Sequence, residues 1–260
     1  MSAASYAAEQ VTSFHDCVSK EERKQRLSVL LVNLLIWCVL VILVAATFGV
    51  ILIFAVVAKA LEWLLAEYNV RRLQAYGCTV SDRQFPTVHR AVEEVCERFG
   101  LQNHYRVILI PSGELNAFAI KFAKKKVVVI LSELLEAVIE TPDQLRALLG
   151  HELCHTVLDH GWRNTFEIYK PMRYRSAREL TCDNAGLVAA GGVEATKSLI
   201  KKLCVGKKLF QLIDEPELII EAQDIYRGLT GWLLRQYLSH PPAGARLKNL
   251  DQFHAEFSHE

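Results

Sequence analysis

Residues 27–58 run for 32 positions without a charged side chain, interrupted only by Ser28, Asn33, Thr47 and Gly49. A buried core helix seldom exceeds about 20 residues, whereas a helix crossing a hydrocarbon core of about 30 Å needs about 20 apolar ones. A secretory signal would have a shorter apolar core and a small-residue cleavage site, and here a polar segment, 1–26, precedes the run. The run therefore reads as a retained membrane anchor. At a helical rise of 1.5 Å per residue it covers about 48 Å, too long for one crossing and too short for two. A hairpin turning at Thr47-Phe48-Gly49 would borrow apolar residues up to 65 and carry Lys59 and Glu62 with it, one helical turn apart. A single tilted helix would leave Lys59 snorkelling at the far interface. Both readings stay open: the anchor, residues 27–66, is one long transmembrane helix or a helical hairpin. Lys20, Arg23, Lys24 and Arg26 on one side nearly balance Lys59, Arg71 and Arg72 on the other, which does not settle the crossing and slightly favours both ends being cytosolic.

The remaining part, 67–260, holds the chemistry. Of 260 residues, 51% are hydrophobic and 23% charged, so the chain can bury a core. Thirty basic against 29 acidic side chains give no global attraction to nucleic acid. The seven cysteines are scattered, with no CxxC pair, which argues against a disulfide framework and suits a reducing compartment.

Hydrophobic spacing predicts an α+β, mainly helical domain. Val88, Ala91, Val92, Val95 and Phe99 mark a helix that Gly100 stops. Residues 105–110, 116–122 and 127–131 read as short strands, the last two joined at Lys124-Lys125-Lys126. A helix is expected over 132–139, another from Pro142 to about His160 with Thr141 as its cap, and another over 176–190. Lys201, Lys202, Lys207 and Lys208 read as a solvated helix face, and His254 and His259 as solvated tail.

Within the second of those helices lies His151-Glu152-Leu153-Cys154-His155, an HExxH sequence. Histidines four apart share one helix face, so both imidazoles reach a single Zn²⁺, while Glu152 projects toward the water as general base. Leu145, Leu148, Leu149 and Leu153 supply the buried side. One zinc per chain, held with an open position for water, needs a third protein ligand. Glu179 can complete that set, and Asp183, one turn on and on the same face, can accept a hydrogen bond from a ligand histidine. Cys182 is the competing soft ligand, but it is rotated from that face and reads, with Cys154, as core packing.

The HELCH motif, the segment RELTCDNAG around Glu179, Leu115-Asn116-Ala117-Phe118-Ala119 before a strand, and Ser239-His240-Pro241-Pro242 followed by Arg246 resemble the membrane-bound zinc metalloendopeptidases typified by HtpX and the CAAX prenyl endopeptidases. The resemblance covers roughly residues 73–250. It implies a zincin-type (gluzincin) fold with a small β-sheet over the active-site helix, and hydrolysis of peptide or protein substrates. It also implies zinc on His151, His155 and Glu179, and substrate positioning by Asn116, Ala117, His240 and Arg246. The chain departs from the pattern with Cys154 where a small residue is usual. Only 18 residues, 161–178, separate the metal helices, too few for a second membrane pair or a large helical cage.

On this reading Glu152 moves the proton, His240 faces the oxyanion with Pro241-Pro242 fixing its loop, and Arg246 binds substrate carboxylate or carbonyls. Asn116 heads an edge strand to which an extended peptide could add. The basic, aromatic stretch 162–178 lines the membrane interface or a substrate entrance, or is a plain solvated connection. A catalytically silent zinc scaffold in the membrane is the alternative, disfavoured by Glu152, which a structural site does not need. A signalling protease dedicated to one partner is another. Lipid bilayer and polypeptide substrate are the expected partners.

Overall fold

The computed structural model describes residues 11–47, 49–102, 105–122, 125–158 and 168–258. The apolar run is divided between two helices, α1 (Lys20–Ala46) and α2 (Val50–Tyr76), which touch each other. Thr47 caps α1, and Gly49 opens α2 at φ 81, a left-handed conformation in which glycine alone is unstrained; Phe48, between them, lies outside the described residues. The break therefore falls at the expected turn. Lys59 Nζ pairs with Glu62 at 2.9 Å, as a helical turn between them allows. Among the described helices α1 alone is long and apolar enough by composition to cross a membrane, since Lys59, Glu62 and Glu67 interrupt α2.

Four strands follow: β1 (Cys78–Thr79), β2 (Tyr105–Ile110), β3 (Ala117–Phe122) and β4 (Lys125–Leu131). Their spatial order is β1-β2-β4-β3, with β2 and β4 parallel and the two outer pairs antiparallel, so β3 is an edge. Alternation sorts the side chains: Val107, Leu109, Val128 and Ile130 face the helical body, while Ile108, Val127, Val129 and Leu131 face Val70 of α2. The end of α2 thus roofs the sheet. Lys124 of the expected lysine turn falls outside the described residues.

The helical body comprises α3 (Pro86–Arg98), α4 (Ser132–Val138), α5 (Pro142–Val157), α6 (Met172–Ala190), α7 (Val193–Val205), α8 (Glu215–Asp224), α9 (Gly228–Arg235) and α10 (Ala243–Ser258). The expected α+β, mainly helical class with a small sheet is what is found. Pro142 opens α5 as expected, but the Thr141 side chain makes no capping hydrogen bond. Leu145, Leu148, Leu149 and Leu153 are all buried. Helix α6 starts four residues before the expected boundary because Pro171 precedes it and supplies its first carbonyl acceptors.

Helices α5 and α6 make the most extensive contact in the fold, and small residues allow it. A Cβ on Gly186 would lie 2.8 Å from the Ala147 carbonyl oxygen, and one on Gly150 2.5 Å from the Ala189 Cβ. Gly150 precedes His151, so this close crossing brings the HExxH face against the helix carrying Glu179 and Asp183. Gly186→Ala is expected to lower stability by about 1–3 kcal/mol through overpacking against backbone, read as a fall in thermal midpoint.

The polar N-terminal segment is part of this body. Val11, Phe14 and Cys17 lie in the main core, and Phe14 stacks on Phe99. Ser19 donates to the Ala177 carbonyl and its N–H to Thr181 Oγ1; Thr181 donates to Glu22 at 2.6 Å. Arg178, buried over the Tyr174 ring, lies 3.7 Å from Glu22. Further along α1, buried Asn33 donates to the Tyr169 carbonyl and accepts from its N–H. Of the basic, aromatic stretch, Tyr174 and Arg178 are therefore buried against α1 and not a solvated connection, while 162–167 lie outside the described residues. Lys202 also departs from expectation: it is buried, and donates to the Ala137 carbonyl in the last turn of α4 and to Gln144. Its partners come from elements 58 and 65 residues away, which helical periodicity cannot reveal.

Candidate metal centre

The α5–α6 crossing brings three side chains to one point. His151 Nε2 and His155 Nε2 are 3.3 Å apart, and each lies 3.5 Å from one oxygen of Glu179. A tetrahedral zinc with bonds of about 2.0–2.1 Å has ligand–ligand edges of about 3.3–3.4 Å, so this donor triangle has the size that such an ion requires. Glu179 Oε2 is buried and accepts no hydrogen bond among the described residues, and neither does Glu152 Oε2. Two buried carboxylate oxygens left open toward a cluster of imidazoles are what a cation and its water would satisfy.

Cys182 Sγ lies within 4.8 Å of a ring nitrogen of each histidine, closer than its helical rotation suggests. Burial, then a hydrogen bond with Cys154, push its thiol well above the usual range and disfavour the thiolate a metal needs. Glu179, ionised and 3.5 Å from each imidazole, is the better donor. All seven cysteines are free.

Behind the triangle, His151 Nδ1 meets Asp183 Oδ1 at 3.0 Å. Arg246, from α10, grips Asp183 through Nε at 2.8 Å and Nη2 at 2.6 Å. The guanidinium expected to bind substrate is thus spent on Asp183, and its place is in a buried Arg246–Asp183–His151 relay. The sixty-three residues between Arg246 and Asp183 hid this pairing from the sequence. Burial alone would raise the Asp183 carboxyl, but Arg246 and His151 outweigh it and hold it low. Burial alone would lower the His151 imidazole; its hydrogen bond to Asp183 and the nearby Glu179 carboxylate outweigh that and hold it up, at about 10. Glu179 is likewise kept well below the carboxylate range, burial being outweighed by His155, His151 and His240. Burial pushes the Glu152 carboxyl up, to about 7, against the pull of His151.

His240 approaches from the open side: its Nε2 is 3.5 Å from Glu179 Oε2, and its side chain is 65% exposed. Ser239 Oγ, 3.0 Å from its Nδ1, orients the ring. A cavity of about 190 Å³ opens over the group, lined by His151, Glu152, Glu179, His240 and, at the start of the edge strand, Ala117 with Asn116 just before it. The residues singled out in the sequence converge here, and His254, half-buried in α10, does not. His160 and His259 lie outside the described residues.

Residues 82–172 match peptidase family M48, in agreement with the resemblance read from the motifs. The matched stretch holds Asn116, Ala117 and the HExxH residues, and ends before Glu179, Asp183, His240 and Arg246. The chain is also similar to plastoglobule-localized metallopeptidase 48, chloroplastic, of Arabidopsis thaliana, at 25% identity over 230 residues, covering 75% of this chain. It spans 65% of that relative's length. No solved structure matches significantly.

Proposed function

We propose that this chain is a membrane-anchored zinc endopeptidase that hydrolyses peptide bonds of polypeptide substrates. The observation that carries the proposal is the donor triangle of His151, His155 and Glu179 at 3.3–3.5 Å beside the unsatisfied, buried Glu152. Those three residues would hold one Zn²⁺, which supplies Lewis-acid polarisation of a carbonyl and a more acidic water. Glu152 accepts a proton from the attacking water and passes it to the departing amine; a carboxyl raised toward neutrality suits both halves of that transfer. His240, exposed on the open side and held by Ser239, donates to the oxyanion as the carbonyl becomes tetrahedral. Asn116 and Ala117 stand where edge β3 meets the cavity, so an extended substrate pairs along that edge.

The anchor is read as a hairpin in which α1 crosses the bilayer and α2, less apolar and carrying the paired Lys59 and Glu62, returns, with the catalytic domain and both chain ends in the cytosol. Cysteines introduced near Ser2 and Glu260 should label from the same face of sealed vesicles. For the activity, purified protein is expected to degrade casein and to stop when a chelator removes the metal; chelator-resistant cleavage would sink the mechanism.

The relay behind His151 carries its own expectation. Without metal His151 is an imidazolium, so zinc must displace a proton, and titration in buffers of different ionisation enthalpy should show release of about one proton per zinc near pH 8. Asp183→Ala and Arg246→Ala should each weaken zinc binding by about 10–100-fold, and Asp183→Ala should also reduce the proton release.

A further inference from the structure

The segment 209–237 exposes large apolar side chains to a degree unmatched among the other described residues after α2. Leu212 is 81%, Leu229 74% and Tyr237 76% exposed, and Ile220, Trp232 and Leu233 are all more than 40% exposed. In α9, which holds three of these, Gly231 is the sole buried residue. The helix lies between Arg227 and Arg235, with a Trp on its exposed surface and a Tyr just beyond. Basic ends, aromatic residues at the boundary and an apolar face are the composition of a helix lying in a lipid interface.

The position of the segment agrees with its composition. A cavity of about 460 Å³ is walled on one side by Glu21 and Gln25, in the first two turns of α1, and on the other by Tyr226 and Arg235. Arg173 and Lys248 also line it, so cations outnumber anions there. Leu27, Leu30 and Leu31, the next turns of α1, are at least half exposed. The apolar face of α9 therefore stands beside the level at which α1 changes from charged to apolar, with basic side chains between them where lipid phosphates would lie.

We infer that α9 and its flanks form a second membrane contact, seated in the interface of an anionic bilayer. It is separate from the spanning helices and borders Ser239-His240 at the mouth of the metal centre. The inference rests on α1 entering a bilayer and is independent of the peptidase chemistry.

The test uses the full chain with Trp37, Trp63 and Trp162 replaced by Phe, leaving Trp232 as reporter, in phosphatidylcholine–phosphatidylglycerol vesicles. Trp232 emission should fall by about half or more with lipids brominated close to the headgroup, and less with lipids brominated near the chain end. Leu229→Glu combined with Leu233→Glu should abolish the quenching while helix content and zinc content stay unchanged. Emission indifferent to both brominated lipids, in a chain that resists alkaline extraction, would overturn the inference and leave the span standing. Loss of the chain on alkaline extraction would overturn the span instead. Trp232 shielded from aqueous acrylamide but not quenched by lipid, with shielding that grows with protein concentration, would assign the face to a second copy of the chain and also overturn the inference.

Discussion

Glu152→Gln is expected to keep about one zinc per chain and to lower turnover by about 10³–10⁴-fold, the upper part of the range for losing a positioned acid–base group. The amide is nearly isosteric with the buried carboxyl, and the donor triangle of His151, His155 and Glu179 does not include it. Metal analysis beside a casein assay reads both halves. Activity within tenfold of the parent would remove Glu152 from the proton path. Because its oxygen has no hydrogen-bond partner and its carboxyl is held near 7, the neutral amide also relieves a buried ionisable group. The variant should therefore be at least as stable to heat as the parent, which separates lost chemistry from lost fold.

Glu179→Ala should lose zinc and activity together, while Cys182→Ala should retain both. The two residues are three apart on α6, and both come near the histidines. The carboxylate lies 3.5 Å from each imidazole and is held ionised by them, whereas the thiol is held protonated by burial and Cys154. If Cys182→Ala strips the metal and Glu179→Ala does not, the ligand assignment is reversed. Cys182→Ala leaves a small void in the core and should cost about 1–2 kcal/mol in stability without altering metal content.

What could be read in advance was what spacing encodes. Four-residue intervals put His151 with His155 and Glu179 with Asp183, and short strand-like runs marked β2 and β4. The turn at 47–49 was readable because Gly49 is the one residue there that adopts φ 81 without strain. What stayed hidden depends on which elements meet. Nothing local says that Gly150 must admit Ala189, that Arg246 turns inward to Asp183, or that Lys202 finds the end of α4. Each is a contact between distant segments, and for Arg246 and Lys202 the residue type alone suggested something else: a substrate clamp, a solvated charge.

The hydrogen bonds joining α1 to α6 have a consequence for how substrates are chosen. Ser19 and Glu22 hold Thr181, two residues from Glu179, and Asn33 holds Tyr169, in the segment leading into that helix, so about 20 Å of α1 is clamped along α6 and the residues just before it. If the chain is the membrane-anchored peptidase proposed above, no hinge among the described residues separates that stem from the reaction centre, and the scissile bond would be presented at a constant height above the lipid. Such a centre would act as a ruler: for a polypeptide emerging from the same bilayer, the distance of a bond from the membrane, counted in residues of extended chain, would decide whether it is cut.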